Sequence, residues 1–177
     1  MPLDNFTGQL GRKNAAHLLR RATFGPTPQD IENFSAMTVS EALDELFQST
    51  TTPLPPVDPV TGSTWLNPAA TGSNSAQEDL IDYFMAWHLE QMRTSGTSIK
   101  ERLVWFLHTH LPVRRSVVPQ SEHLYYQNAL FRFYAFGSFQ TLFQKIIVDN
   151  AMMIFIDNAT NDVDSPNENF AREMFEL

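Results

Sequence analysis

Apolar side chains recur every three to four residues along most of the chain, which is the spacing of one face of an α-helix. In the N-terminal quarter this pattern predicts three helices, over residues 13–23, 27–34 and 38–47. Gly25–Pro26 ends the first helix. Thr27 and Thr38 are the predicted N-caps of the other two, because each precedes an acidic residue by three positions.

The pattern resumes near residue 78 and predicts helices over residues 78–94, 98–111, 119–136 and 139–149, followed by a short apolar segment at 152–156. Residues 165–168 combine an N-cap, a first-turn proline and a capping-box glutamate, so they predict a last helix. Neither strand alternation nor a hairpin turn interrupts the series. The predicted fold class is all-α, an irregular array of about seven or eight helices.

Prolines, threonines, serines and glycines crowd the stretch between Gln48 and Gln77. Because proline removes a backbone donor and fixes a backbone angle, regular structure is disfavoured there. We expect an insertion or surface loop with Trp65 and Leu66 as its anchor. The predicted organisation is N-terminal helices at 1–47, the insertion at 48–77, and a helical core at 78–177 that continues beyond the given C-terminus.

The composition narrows the classes of function. The 177 residues include no cysteine, which excludes disulfides, thiolate metal sites and thiol nucleophiles. A formal net charge of -8 argues against nucleic acid as a partner, because nucleic-acid surfaces require clustered lysine and arginine. No apolar run predicts a membrane span, and residues 1–12 lack the layout of a signal peptide.

Four segments resemble the bacterial DUF1800 family, a family of unknown function, in both order and spacing. They are His17–Pro26, Glu101–His110, Gln127–Gly137 and Pro166–Glu173. The resemblance covers nearly the whole chain outside the proline-rich insertion. It implies no particular activity.

The resemblance has further implications for the context of the chain. Family members usually run to several hundred residues, so the chain resembles an N-terminal portion of a larger helical protein. Its last residues agree, because they continue a helical pattern without a stop signal. Many members are exported, which leaves the native compartment unknown for a sequence without a leader. Members are often encoded beside a sulfatase-like family, which implies a protein partner, as does the remaining part of the same protein.

His108 and His110 are the first candidates for chemistry. On a helix they lie about 200° apart and cannot ligate one ion together, whereas in an extended segment they share a face. The proline after Leu111 makes a helix end plausible just there. The alternative is structural, with His108 as a core imidazole and His110 near the surface.

The last predicted helix carries the second group of candidates. Glu173 and Glu176 share a polar stripe with Arg172, and an apolar stripe runs beside it, so some carboxylates border the core. Di-metal sites in helical bundles use such carboxylates, but pair them with a Glu-x-x-His motif that is absent here. The alternative is a surface ion ladder from Glu168 through Arg172 to Glu176.

Two adjacent arginine pairs, Arg20–Arg21 and Arg114–Arg115, are the basic candidates. Guanidinium groups bind sulfate, phosphate or carboxylate in a bidentate manner, so Arg20 and Arg21 are a candidate anion site. The surplus of acidic residues also allows both pairs to form structural ion pairs.

Two functions remain open. One is a non-catalytic helical scaffold or binding module, in which the polar groups form a buried network. The other is a metal-assisted hydrolase or oxidoreductase that uses a divalent metal. In the enzyme, His108, Glu173 and Arg172 are the catalytic candidates, and the metal ligands are drawn from His108, His110, Glu173 and Glu176. An enzyme requires these groups in one cleft with shifted pKa values, whereas a scaffold pairs and closes them.

Overall fold

The computed structural model describes residues 6–66, 75–164 and 166–176, with the side chains of Asn169 and Met174 outside that description. Within these ranges the chain forms nine α-helices and no named strand. They are α1 (Gly11–Ala22), α2 (Pro28–Ser35), α3 (Val39–Leu46), α4 (Gln77–Thr94), α5 (Lys100–His110), α6 (Ser121–Tyr134), α7 (Phe139–Ile146), α8 (Asn150–Phe155) and α9 (Glu168–Glu176). The all-α prediction is confirmed.

The predicted helix starts are set by local hydrogen bonds. Thr27 and Thr38 each form a full capping box, in which the side chain accepts from the third helical amide and the acidic side chain accepts from the cap amide. Ser138 caps α7 through the amide of Thr141. Gly96 follows α4 at a φ of 58°, the left-handed conformation that glycine adopts most easily. The predicted cap Ser165 lies outside the described residues.

The region from 139 to 156 differs from the prediction. A single helix was expected to reach about residue 149, but α7 ends at Ile146 and α8 begins at Asn150. The cause is Asp149, whose carboxylate accepts from the amide of Met152 and starts a new helix there. The array therefore contains more helices than the seven or eight expected.

The described part of the proline-rich segment is anchored by its apolar residues. Trp65 and Leu66 are buried against Leu80 and Ile81 of α4. Leu66 also accepts a hydrogen bond from the hydroxyl of Tyr126 through its carbonyl oxygen. Within the described residues, none of the helices combines the length and apolar character that crossing a bilayer requires.

The chain divides into two compact units. The first unit combines Met1–Pro53 with Leu89–Leu103. Its core is formed by α1, α2 and α3 around Leu19, Phe34 and Leu46. The later segment joins this core through Ile99, whose amide donates to the carbonyl of Leu46 at 3.0 Å.

The second unit combines Leu54–His88 with Val104–Leu177. It contains two apolar clusters, one around Phe131 and Ile146 and one around Leu80 and Phe84. Val113 packs against both clusters. The second unit therefore has a larger interior, and most of the buried polar side chains lie there, among them His88, Gln127, Asn128 and Arg132.

Candidate functional site

The buried polar cluster of the second unit is built around Asn128 of α6, which is 2% exposed. Its side-chain oxygen accepts a hydrogen bond of 2.7 Å from Nε of Arg132, one turn further along the helix. Its amide nitrogen lies 3.3 Å from Nε2 of His88 in α4. Because arginine only donates, the atom that faces Arg132 is the oxygen, and the NH₂ group faces His88. Nε2 of His88 is therefore an acceptor.

Aromatic rings enclose this hydrogen-bonded chain. The guanidinium of Arg132 lies over the ring of Trp87, 5.0 Å from its centroid, in a cation–π contact. The imidazole of His88 stacks on Phe84 at 6.1 Å between centroids. We call Trp87, His88, Asn128 and Arg132 the Asn128 cluster.

The electrostatic environment keeps the imidazoles neutral. Burial, reinforced by the charge of Arg132 and by the neighbouring His108, lowers the pKa of His88 to about 3. Burial also lowers the pKa of His108. At neutral pH both rings therefore carry one N–H donor and one acceptor nitrogen.

His108 of α5 is half-buried among aromatic rings. Its centroid lies 6.2 Å from that of His88 and 6.5 Å from that of Phe131, both in edge-on geometry. The indole of Trp105 lies 6.0 Å away. These contacts hold the ring through its faces and edges rather than through a carboxylate.

A cavity of about 170 Å³ lies beside His108 inside the second unit. We call it the His108 cavity, and its lining residues are Phe84, Met85, His108, Val113, Arg115, Leu124 and Gln127. Most of these side chains are apolar. The polar ones are an imidazole, an amide and a guanidinium, which gives the cavity an apolar body with a few hydrogen-bonding groups.

Hydrogen bonds hold the amide of Gln127 in place. Its Nε2 donates to Oδ2 of Asp149 at 3.2 Å, and the same oxygen accepts from the amide of Met152. Burial raises the pKa of Asp149, and these hydrogen bonds act in the opposite direction. The carboxylate that caps α8 thus also orients a wall of the His108 cavity.

The first unit has a cavity of its own, of about 430 Å³. Its lining is rich in hydroxyl groups and consists of Thr50, Thr51, Pro53, Gln91, Thr94, Ser95, Ser98, Lys100 and Glu101. Several hydroxyls already bond to the backbone, as Thr94 does to the carbonyl of Glu90 and Ser95 to that of Met92. The local structure engages these groups.

The family of the chain follows from its sequence. A family model described as "Protein of unknown function (DUF1800)" matches residues 17–177. The chain belongs to this family. Comparisons with curated proteins and with solved structures found no match. The matched DUF1800 region includes the whole Asn128 cluster and every residue that lines the His108 cavity.

The structure places the two candidate histidines of the DUF1800 chain in different surroundings. Helix α5 continues through His110, so His108 and His110 point in different directions. His110 is exposed and stacks on Phe106 at 5.5 Å, with Phe139 at 6.0 Å. The extended arrangement that would let both rings ligate one ion is not formed.

The acidic candidates lie together on α9. Arg172 pairs with Glu173 at 3.1 Å and with Glu176 at 3.6 Å. The second of these pairs has the spacing of the alternative ion ladder. Among the residues that the structure describes, no group of three or more His, Asp or Glu side chains is arranged to hold a metal ion. The metal set His108, His110, Glu173 and Glu176 stays a prediction.

The basic candidates Arg20 and Arg21 are exposed at the end of α1. Their carbonyl oxygens accept hydrogen bonds from the guanidinium of Arg102, which also lies over Phe24 at 4.6 Å. Arg115 pairs with Asp82 at 2.8 Å. The anion site at Arg20 and Arg21 stays a prediction.

Sequence analysis did not select His88, Asn128 or Gln127 as site residues. A signal was present, since Asn128 and Arg132 are four residues apart on α6, a helix whose buried face includes Leu124 and Phe131. Polar residues on an apolar stripe require partners when they are buried. The partner His88 is 40 residues away along the chain, and local spacing cannot reveal it.

Proposed function

We propose that this DUF1800 chain is a non-catalytic helical binding module. The observation that carries the proposal is the closed Asn128 cluster, in which His88, Asn128 and Arg132 satisfy one another inside the second unit. Such a network is expensive to leave half-paired, so it favours one arrangement of the helices that contribute to it. Its role is then to fix the register of α4 against α6.

The protonation state of the imidazoles supports this function. A general acid or base works best when its pKa lies near the operating pH. The pKa of His88 is about 3, and that of His108 is also lowered. His88 therefore stays neutral near pH 7 and serves as a hydrogen-bond acceptor rather than as a proton carrier.

The alternative is a metal-assisted hydrolase or oxidoreductase. One observation favours it, because His88 and His108 are neutral imidazoles 6.2 Å apart, and the neutral ring is the form that ligates metals. In this alternative Glu173 and Glu176 supply carboxylate ligands, and Arg172 orients a substrate carboxylate.

Elemental analysis of the protein purified without chelators separates the two functions. The His108→Ala/Glu173→Ala double variant is compared with the wild type and with a control double variant at exposed positions, His17→Ala/Glu32→Ala. The binding module predicts no stoichiometric transition metal in any of the three proteins. About one equivalent of metal in the wild type and the control, lost in His108→Ala/Glu173→Ala, would establish the enzyme instead.

We also infer the classes of partner. The net charge of -8 favours a protein or small-molecule partner over nucleic acid. A further part of the same protein is one such protein partner, which the resemblance to longer family members implies.

A further inference from the structure

We propose that the His108 cavity binds a small uncharged aromatic molecule that carries one hydroxyl group, of the phenol class. This inference rests on the proposed binding function and names the chemistry of its ligand. It is carried by the volume of the cavity, by the character of its walls and by the two polar groups at one end.

The volume fits a single aromatic ring. The cavity measures about 170 Å³, and an engineered apolar cavity of about 150 Å³ in another protein takes up benzene. A six-membered ring with one small substituent therefore fits, and a fused pair of rings does not. Size alone restricts the ligand to small molecules.

The walls favour an aromatic ring over a polar ligand. Phe84 and Leu124 are 4% and 8% exposed and belong to the packed core, so they form a fixed surface. Val113 adds a second apolar side. Met85 is 42% exposed, and its flexible thioether makes favourable contacts with ring edges. An aromatic ligand gains both apolar burial and ring contacts there.

The polar groups call for a hydroxyl. Neutral His108 presents one donor and one acceptor nitrogen, and within the described residues no hydrogen bond engages either of them. Gln127 uses its amide NH₂ group on Asp149, which leaves its carbonyl oxygen as the group for a ligand. A hydroxyl both donates and accepts, so one such group can bond to the amide oxygen and the imidazole together.

The charges at the cavity favour an uncharged ligand. Arg115 is the one charged residue in the lining, and its guanidinium donates to the carboxylate of Asp82 at 2.8 Å. The two charges of this pair cancel. A carboxylate ligand would have to compete with Asp82 for Arg115 and lose its own hydration, whereas a neutral hydroxyl avoids both penalties.

Calorimetric titration of the protein with phenol tests the proposal, with benzene and benzoate as probes of similar size. We expect phenol to bind with a stoichiometry of one, more tightly than either benzene or benzoate. His108→Phe keeps an aromatic ring and removes the hydrogen bond, so it should weaken phenol binding about 3-fold to 10-fold and leave benzene binding nearly unchanged. His110→Phe, two residues along the same helix and exposed, is the matched control and should bind phenol like the wild type.

Chemical-shift mapping of the wild type supplies a test that does not depend on the variants. Phenol should shift the imidazole carbon and proton signals of His108 and not those of His110. Absence of phenol binding by the wild type, tighter binding of benzoate, or equal losses in the two variants would each overturn the proposal. A metal found by elemental analysis would overturn the proposed function, whatever the phenol titration gives.

Discussion

At the scale of single residues, Asn128 has the largest consequences, because its one side chain completes the hydrogen bonding of two others. Asn128→Ala removes the partner of Nε2 of His88 and of Nε of Arg132 in a buried site. Each buried polar group left unpaired costs about 1–3 kcal/mol, and more when it is charged. We expect the free energy of unfolding to fall by about 2–4 kcal/mol, measured by urea denaturation.

A matched control exists in α2. Gln29 and Asn33 form the same kind of side-chain hydrogen bond at the same spacing of four residues, but on an exposed surface. Asn33→Ala should change the free energy of unfolding by less than about 0.5 kcal/mol. Equal losses in Asn128→Ala and Asn33→Ala would mean that the Asn128 cluster does not stabilise the second unit.

The low pKa of His88 makes stability depend on pH. The unfolded imidazole binds a proton below about pH 6.5, whereas the folded one binds it only near pH 3. Between these values the unfolded state holds more protons, so lowering the pH removes stability. Urea denaturation at pH 7, 6, 5 and 4 should show a contribution from His88 that approaches about 1.4 kcal/mol per pH unit.

The variant His88→Gln, which does not titrate, should flatten this dependence, while the wild-type slope should persist in His17→Gln, where an exposed imidazole is removed. The groups that face His88 are His108 from α5 and Arg132 from α6. A slope that is unchanged in His88→Gln would show that this imidazole is protonated in the folded protein.

At the scale of helices, the capping boxes tie stability to single hydroxyls. Thr38 is exposed and accepts from the amide of Glu41, while Glu41 accepts from the amide of Thr38. Thr38→Ala should lower the free energy of unfolding by about 1 kcal/mol in urea denaturation, because the start of α3 loses its cap. Thr38→Ser keeps the hydroxyl and should lose little. If Thr38→Ser is as unstable as Thr38→Ala, the methyl group rather than the cap is responsible.

Helix starts were predictable where the cap and the capped amide are neighbours in sequence, as at Thr27, Thr38 and Ser138. The start of α6 was not, because the amide of Ser121 donates to the side chain of Gln77, which is 44 residues away. The candidate site divides in the same way. His108 was selected from its place on a helix, but the Asn128 cluster and Gln127 depend on contacts between helices that periodicity does not encode.

At the scale of the whole chain, the two units differ in how the sequence builds them. The first unit needs a late segment, Leu89–Leu103, to complete its core around Leu46. The second unit lies entirely after residue 53 and contains both the Asn128 cluster and the His108 cavity. The residues proposed to bind a ligand therefore do not depend on contacts with Met1–Pro53.

This organisation predicts how a fragment of residues 54–177 should behave. The fragment keeps every residue of the second unit, so the amide of Phe131, in the core of α6, should remain protected from hydrogen exchange. The amide of Ile99 loses its acceptor, the carbonyl of Leu46, and should exchange at least about 10-fold faster than in the full chain. Exchange measured by NMR on both proteins tests this. Loss of protection at Phe131 would show that the second unit cannot fold without the first 53 residues, because its core would then require contacts that α1, α2 and α3 supply.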